Sequence, residues 1–497
     1  MTDYQKNFGF KHKSGILLAV SSLPSPYGIG SFGRPSFDFI DFLDATGTKC
    51  WQILPLNPTA YGDSPYQSPA AFALNPYFID LEILRSDGLL TKEELASAKY
   101  PSDRVDYGRL FNERYPLLRR AFSRFSPDTS YRAFCKRNAE WLSDYAFFMA
   151  LKVRNGYRSW IEWDDEYKYY SRALKHIEEH RAEMDFWSFL QYEADSQWRE
   201  VRDYARKKGI KIIGDMPIYV AYDSVDVWSD TSQFLLDDNL NPIRVAGCPP
   251  DGFAPDGQLW GNPIYDYEKM LSDGYSWWIR RTRRSFRLYD IVRIDHFRGF
   301  AGYYSIPYGD STARNGSWQQ GPGEKLFDAV SAAVPDAKII AEDLGFITDD
   351  VRQLLKYCGF PGMKNLQFAF FDDDSEYLPR TYASPNCVVY TGTHDADCTY
   401  SWCRELSGDV LKRFQKERPH KKGVSRTYSM IYMAFESVAN LAVVPLQDWQ
   451  LLPNEVGKMN TPSVAEGNWS WRASPRYASR ALINKISEVT RITGRKK

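Results

Sequence analysis

The sequence predicts an α/β chain closed into a (β/α)8 barrel, with large insertions after strands at the C-terminal face. Three observations carry this expectation. Eight short apolar runs recur along the 497 residues, helical patterns separate most of them, and two gaps are too long to be simple crossovers. Runs apolar almost throughout suit a parallel sheet covered on both faces, whereas antiparallel surface strands alternate. Eight strand–helix units favour a closed barrel over an open doubly wound sheet. No G-x-G-x-x-G follows any run, which weakens a dinucleotide-binding alternative.

In chain order the runs are 15–20, 49–54, 210–215, 290–295, 338–342, 364–370, 387–393 and 441–447. Before the third, Leu190, Ala194, Trp198, Val201 and Ala205 fall on one helical face. Lys207 and Lys208 then occupy the last turn, and Gly209 stops the helix. Similar amphipathic stretches lie at about 324–334, 349–358 and 400–415.

The long gaps set the expected organisation. Residues 1–88 form the first part of the barrel, 89–190 a charged helical insertion rich in Trp, Tyr and Arg, and 191–497 the rest. Within the last part, 217–273 is rich in Pro, Gly and Asp and reads as a loop subdomain over the strand ends. Loops of that size are usually functional, and barrel active sites sit at the C-terminal face.

Lys+Arg and Asp+Glu balance at 63 each, so no global field draws the chain to nucleic acid or an anionic membrane. The basic run at 280–284 reads as a solvated helix face. Seven cysteines, odd in number and without C-x-x-C spacing, suggest neither a disulfide framework nor a zinc finger. The N-terminus lacks an apolar core and no stretch approaches 18 consecutive apolar residues, so the expected location is cytoplasmic.

Carboxylates close four of the runs or follow closely: Asp215, Asp295, Glu342 and Asp395. Any one alone is more often a helix cap or a loop hydrogen-bonding group. Four at the same end of successive strands reverse that balance. Strand alternation puts Arg293 and Asp295 on one face, and the guanidinium is expected to lower the Asp295 pKa. Glu342 ends an apolar run, a setting that raises a carboxyl pKa. Two carboxyls pushed apart in this way suit glycosidic cleavage, with retention if they lie about 5–5.5 Å apart.

Residues 176–180 read H-x-x-E-H, a zinc-peptidase spacing that on an α-helix puts both histidines on one face. So short a motif in a charged insertion arises readily by chance, no third ligand is evident, and no metal is expected. No nucleophile-elbow motif supports acyl transfer.

Four segments, GDMPIYV (214–220), VRIDHFRG (292–299), IIAEDLG (339–345) and YTGTHDADC (390–398), resemble the signature regions of the α-amylase superfamily. More narrowly, YGDSPYQS (61–68), GQLWGNPIY (257–265) and the tail MNTPSVAEGNWSWR (459–472) resemble the amylomaltase, or 4-α-glucanotransferase, family, and the likeness spans about 15–472. It implies Asp295 as nucleophile, Glu342 as acid–base and Asp395 as the group gripping the 2- and 3-hydroxyls of the reacting sugar. It further implies Arg293 and His296 flanking the nucleophile, His394 bonding the sugar, Tyr66 stacking on it, and Asp215 in support. Ser64 and Asp343 join the binding set, with Asp251, Phe253 and Trp260 from the loop over the cleft. The substrates implied are an α-1,4-glucan or maltooligosaccharide donor and a glucose or oligosaccharide acceptor, with no cofactor. A hydrolase of the same superfamily and a catalytically weak glucan-binding protein remain the alternatives. Two departures stand out: Ala396 and Cys398 where the family reads THDNDT, and Gly252 where some relatives have tyrosine.

Overall fold

The eight apolar runs become eight parallel strands that close on themselves. The computed structural model describes residues 10–496, apart from Phe253, Phe346, His420, Lys422 and Ala465. Its strands, in chain order, are β1 (Lys13–Leu17), β2 (Cys50–Gln52), β3 (Lys211–Met216), β4 (Arg244–Cys248), β5 (Gln258–Pro263) and β6 (Ile291–Ile294). They continue as β7 (Gly302–Pro307), β8 (Ser317–Gln320), β9 (Ile339–Ala341), β10 (Gly362–Asn365), β11 (Cys387–Tyr390) and β12 (Leu441–Pro445). The barrel closes in the order β1-β12-β11-β10-β9-β6-β3-β2, and strands β5-β4-β7-β8 form a second, antiparallel sheet. Barrel strands β6, β11 and β12 are buried at every position, as continuous apolar runs require.

Most boundaries shift by a few residues for local reasons. The sixth barrel strand begins earlier than the run at 364–370 and ends at Asn365, whose side chain accepts the Gln367 N–H and turns the chain into a 3-10 helix. The helix Arg181–Lys207 buries Leu190, Ala194, Trp198, Val201 and Ala205 as their spacing predicts, and Gly209 follows with φ of 66°. It runs unbroken through residue 190. The stretch expected at 400–415 is two helices, Thr399–Glu405 and Gly408–Glu417, parted before Gly408, whose φ of 55° does not continue a helix.

The basic run at 280–284 is not a solvated face. In helix Ser276–Leu288, Arg281 and Arg284 are 4% and 5% exposed. Arg281 donates to the Ile218 carbonyl and Arg284 to that of Phe72. The second sheet also differs from expectation, since part of the 217–273 segment pairs with strands that follow β6. No described helix is long and apolar enough to cross a membrane.

Candidate active site

The site starts from a buried ion pair. Neighbouring strands β3 and β6 place Asp215 opposite Arg293 in register. The Arg293 Nη1 lies 2.7 Å from both Asp215 oxygens, and the two side chains are almost wholly buried. Tyr66 donates its hydroxyl to the same carboxylate at 2.8 Å. Buried charge is costly unless paired and hydrogen-bonded, and here both conditions are met. The second guanidinium nitrogen, Nη2, is 3.0 Å from Asp295 two residues on, as strand alternation predicts.

Asp295 and Glu342 follow the last residues of β6 and β9, and their amides extend the ladder. The Asp295 N–H donates to the Met216 carbonyl, and the Glu342 N–H to that of Ile294, both at 3.0 Å. Glu342 accepts two backbone amides, His296 N–H at 2.7 Å and Leu344 N–H at 3.0 Å. His296 adopts a left-handed backbone with φ of 49°, an uncommon conformation for a residue with a side chain.

Burial raises the Glu342 pKa above the ordinary carboxyl value, with Asp295 adding and Arg293 opposing. Asp295 is also raised, which corrects the expected lowering: burial, together with Asp215 and Asp395, outweighs Arg293. The ordering of the pair comes from contact. Among the described residues Arg293 forms an ion pair with Asp295 and none with Glu342, biasing the shared negative charge toward Asp295.

The loop after β11 supplies the third carboxylate. Asp395 lies 3.2 Å from His394 Nε2 and accepts the Asn460 amide at 2.6 Å. Burial opposes its ionisation, but His394, Asn460 and Arg293 together bring it down to about 2. Burial likewise disfavours charge on His394, yet Asp395 outweighs it and raises that pKa. The Tyr66 ring stacks on His394 with centroids 5.2 Å apart and planes 14° apart, and Trp469 closes the cluster at 5.5 Å from Tyr66. Asn460 and Trp469 were not singled out in the sequence. Their one signal was membership of the tail segment 459–472, where neither residue type advertises a role.

The remaining expected residues divide. Trp260 meets the His296 ring edge-on at 4.8 Å, and its carbonyl accepts Gln67 Nε2 at 3.1 Å, joining the 61–68 and 257–265 segments. The His296 ring is pushed down to about 3 by burial and then by Arg298. Ser64 accepts the Tyr66 N–H at 3.2 Å, a local turn contact. Asp343 is buried, accepts the Met363 N–H at 2.6 Å, and is pushed by burial up to about 7. Asp251 is exposed and accepts the Ala254 N–H at 2.6 Å, while Phe253 lies outside the described residues.

Of the departures, Cys398 is buried, and neighbouring Asp397 bonds Asn454 at 2.9 Å and Lys458 at 2.7 Å. A Cβ at Gly252 would meet open space. The H-x-x-E-H segment lies on a 3-10 helix, Leu174–His180, whose three residues per turn separate i from i+4. Both ring nitrogens of His176 face glutamates, Glu166 at 2.8 Å and Glu179 at 2.9 Å.

Two half-buried carboxyls of unlike surroundings, beside an arginine at the C-terminal mouth of a parallel barrel, are an arrangement suited to carboxylate acid–base and nucleophilic chemistry. Comparison with known proteins narrows the class. The family model described as 4-alpha-glucanotransferase matches residues 18–478. The chain is 46% identical over 490 residues to a 4-alpha-glucanotransferase of Clostridium butyricum, covering 96% of this chain and 100% of that one. It is 42% identical over 478 residues to the chloroplastic/amyloplastic enzyme of that name from Solanum tuberosum, covering 93% of this chain and 82% of that one. Among solved structures, amylomaltase from Streptococcus agalactiae in complex with acarbose matches with a TM-score of 0.94 at 37% identity, covering 98% of this chain and 100% of that one. The chain belongs to the 4-alpha-glucanotransferase family.

Proposed function

We propose that the protein moves α-1,4-linked glucan segments from one maltooligosaccharide to the 4-hydroxyl of another, or of glucose, by a retaining double displacement. The observation that carries this reading is the half-buried carboxyls Asp295 and Glu342, with Arg293 on the aspartate and two backbone amides on the glutamate. The Asp295 carboxylate attacks the anomeric carbon as the glycosidic C–O bond breaks, and the Glu342 proton passes to the departing O4. That step leaves a β-glycosyl ester on Asp295. An acceptor 4-hydroxyl then attacks the same carbon and gives its proton to Glu342, the ester bond breaks, and the α-linkage is restored.

Asp395, held ionised by His394 and Asn460, is suited to accept hydrogen bonds from the 2- and 3-hydroxyls, and these strengthen as the ring approaches the oxocarbenium-like transition state. The Tyr66–His394–Trp469 cluster offers an aromatic wall beside it. Trp260, tied to the 61–68 loop through Gln67, helps keep water from the ester, so that a sugar hydroxyl is the acceptor. All seven cysteines are free, which fits a reducing, cytoplasmic setting.

Incubation with maltotriose tests the reading. Transfer yields glucose together with a ladder of oligomers longer than the input. Products shorter than maltotriose alone would make the protein a hydrolase, and unchanged maltotriose would make it a binding protein.

A further inference from the structure

Glucan transfer leaves the arginine-rich helix Ser276–Leu288 unexplained. Arg284 lines a cavity of about 350 Å³ between this helix and the helices Thr129–Arg154 and Arg181–Lys207. The cavity lies against the outside of the barrel. Leu288, in its wall, comes shortly before Ile291, the first residue of β6, whereas the catalytic carboxylates follow the strands' other ends. It is therefore separate from the glucan cleft.

Four arginines line this space, Arg137, Arg199, Arg284 and Arg287, against one acidic residue, Asp195. Asp195 is already taken, at 2.8 Å from Arg284 Nη1. Arg284 is 5% exposed, donates Nε to the Phe72 carbonyl and lies over the Trp141 ring, yet its Nη2 has no hydrogen-bond partner among the described residues. Among the described residues Arg199 hydrogen-bonds only Ser196 of its own helix, at 3.4 Å, and Arg137 and Arg287 form no ion pair. The chain as a whole is neutral, with 63 basic and 63 acidic residues, so this excess belongs to the place and not to the composition. Like charges gathered around a cavity repel one another, and an anion in their midst turns the repulsion into attraction. Guanidinium forks match the oxygens of a phosphate group in particular. The volume falls at the lower end of the roughly 300–1,000 Å³ typical of small-molecule sites.

We propose that this cavity binds a phosphate group, either free or carried on a sugar. Isothermal titration calorimetry on the full chain tests it, with inorganic phosphate and then glucose 1-phosphate injected at constant ionic strength and chloride as the control. Saturable binding of at least one is expected, weakened tenfold or more in an Arg199→Gln/Arg287→Gln double variant. Both arginines are exposed and outside the catalytic machinery, so the double variant should form the maltotriose ladder at an unchanged rate. Tighter binding of glucose 1-phosphate assigns a sugar phosphate, and equal binding assigns the phosphate alone. Absence of saturable binding of either, or binding unaltered in the double variant, overturns the proposal.

Discussion

Arg293 touches two acids, and removing it should be felt by both. Arg293→Gln takes away the cation that opposes the raised pKa of Asp295 and of Glu342. Both carboxyls then hold their protons to higher pH. The proposed mechanism requires Asp295 ionised and Glu342 protonated at the start of the reaction, so the acidic and alkaline limbs of the rate profile should both move upward. Initial rates of glucose release from maltotriose across pH measure this, and an unmoved acidic limb would show that Asp295 does not set it. The same change strands Asp215 as a buried unpaired charge, at a cost of about 3–5 kcal/mol in stability. Asp343 gives a cleaner pH signal. Its folded pKa is raised from 3.8 to about 7, so its contribution to stability is fully present below the ordinary value and is lost as pH climbs through about 7. Asp343→Asn keeps an oxygen for the Met363 amide but cannot ionise. The melting temperature of the wild type should therefore fall relative to this variant between about pH 4 and 7, by the equivalent of a few kcal/mol.

Among the elements, the barrel strands were legible because burial on both faces demands apolar residues at nearly every position. The second sheet was not. Its edge strand β8, SWQQ, is exposed at all four positions, so no apolar pattern marks it. The basic helix was misread for the opposite reason: Arg281 and Arg284 are buried by contacts with carbonyls and aromatic rings that lie far away in sequence. In the site, the carboxylates showed through their place after strands, and Arg293 through alternation. The net sign of the Asp295 shift did not, because it depends on how burial and the charges of Asp215 and Asp395, brought in from other strand ends, weigh against Arg293. At Gly214 the strand's shape is testable. A Cβ there would lie 2.2 Å from the Tyr289 ring, one residue before Asp215. Gly214→Ala should cost at least about 1–3 kcal/mol by chemical denaturation, as overpacking does, and lower transfer by displacing the Asp215–Arg293 pair. Wild-type stability in this variant would mean that Tyr289 moves aside freely.

At the scale of the whole molecule, the chain's last described residues tie the barrel shut. Arg495 is fully buried and donates to the carbonyls of Lys13, Ala434, Phe435, Ser437 and Ala439. It thus links the start of β1 to the segment leading into β12, the two strands that close the ring. Arg495→Met should destabilise the protein by about 3 kcal/mol or more, since several carbonyls lose their donor together. Because Arg495 lies far from the carboxylates, kcat of the remaining folded fraction should hold. On this closed frame Asp295 is the proposed nucleophile, and trapping the ester reads that role out. A maltosyl fluoride donor carrying a second fluorine to slow turnover is incubated with the Glu342→Gln variant, and the protein is digested and analysed by mass spectrometry. A glycosyl adduct is expected on the peptide containing Asp295 and absent from Asp295→Ala; an adduct on another residue, or none while the wild type still transfers glucan, would rule Asp295 out as the nucleophile.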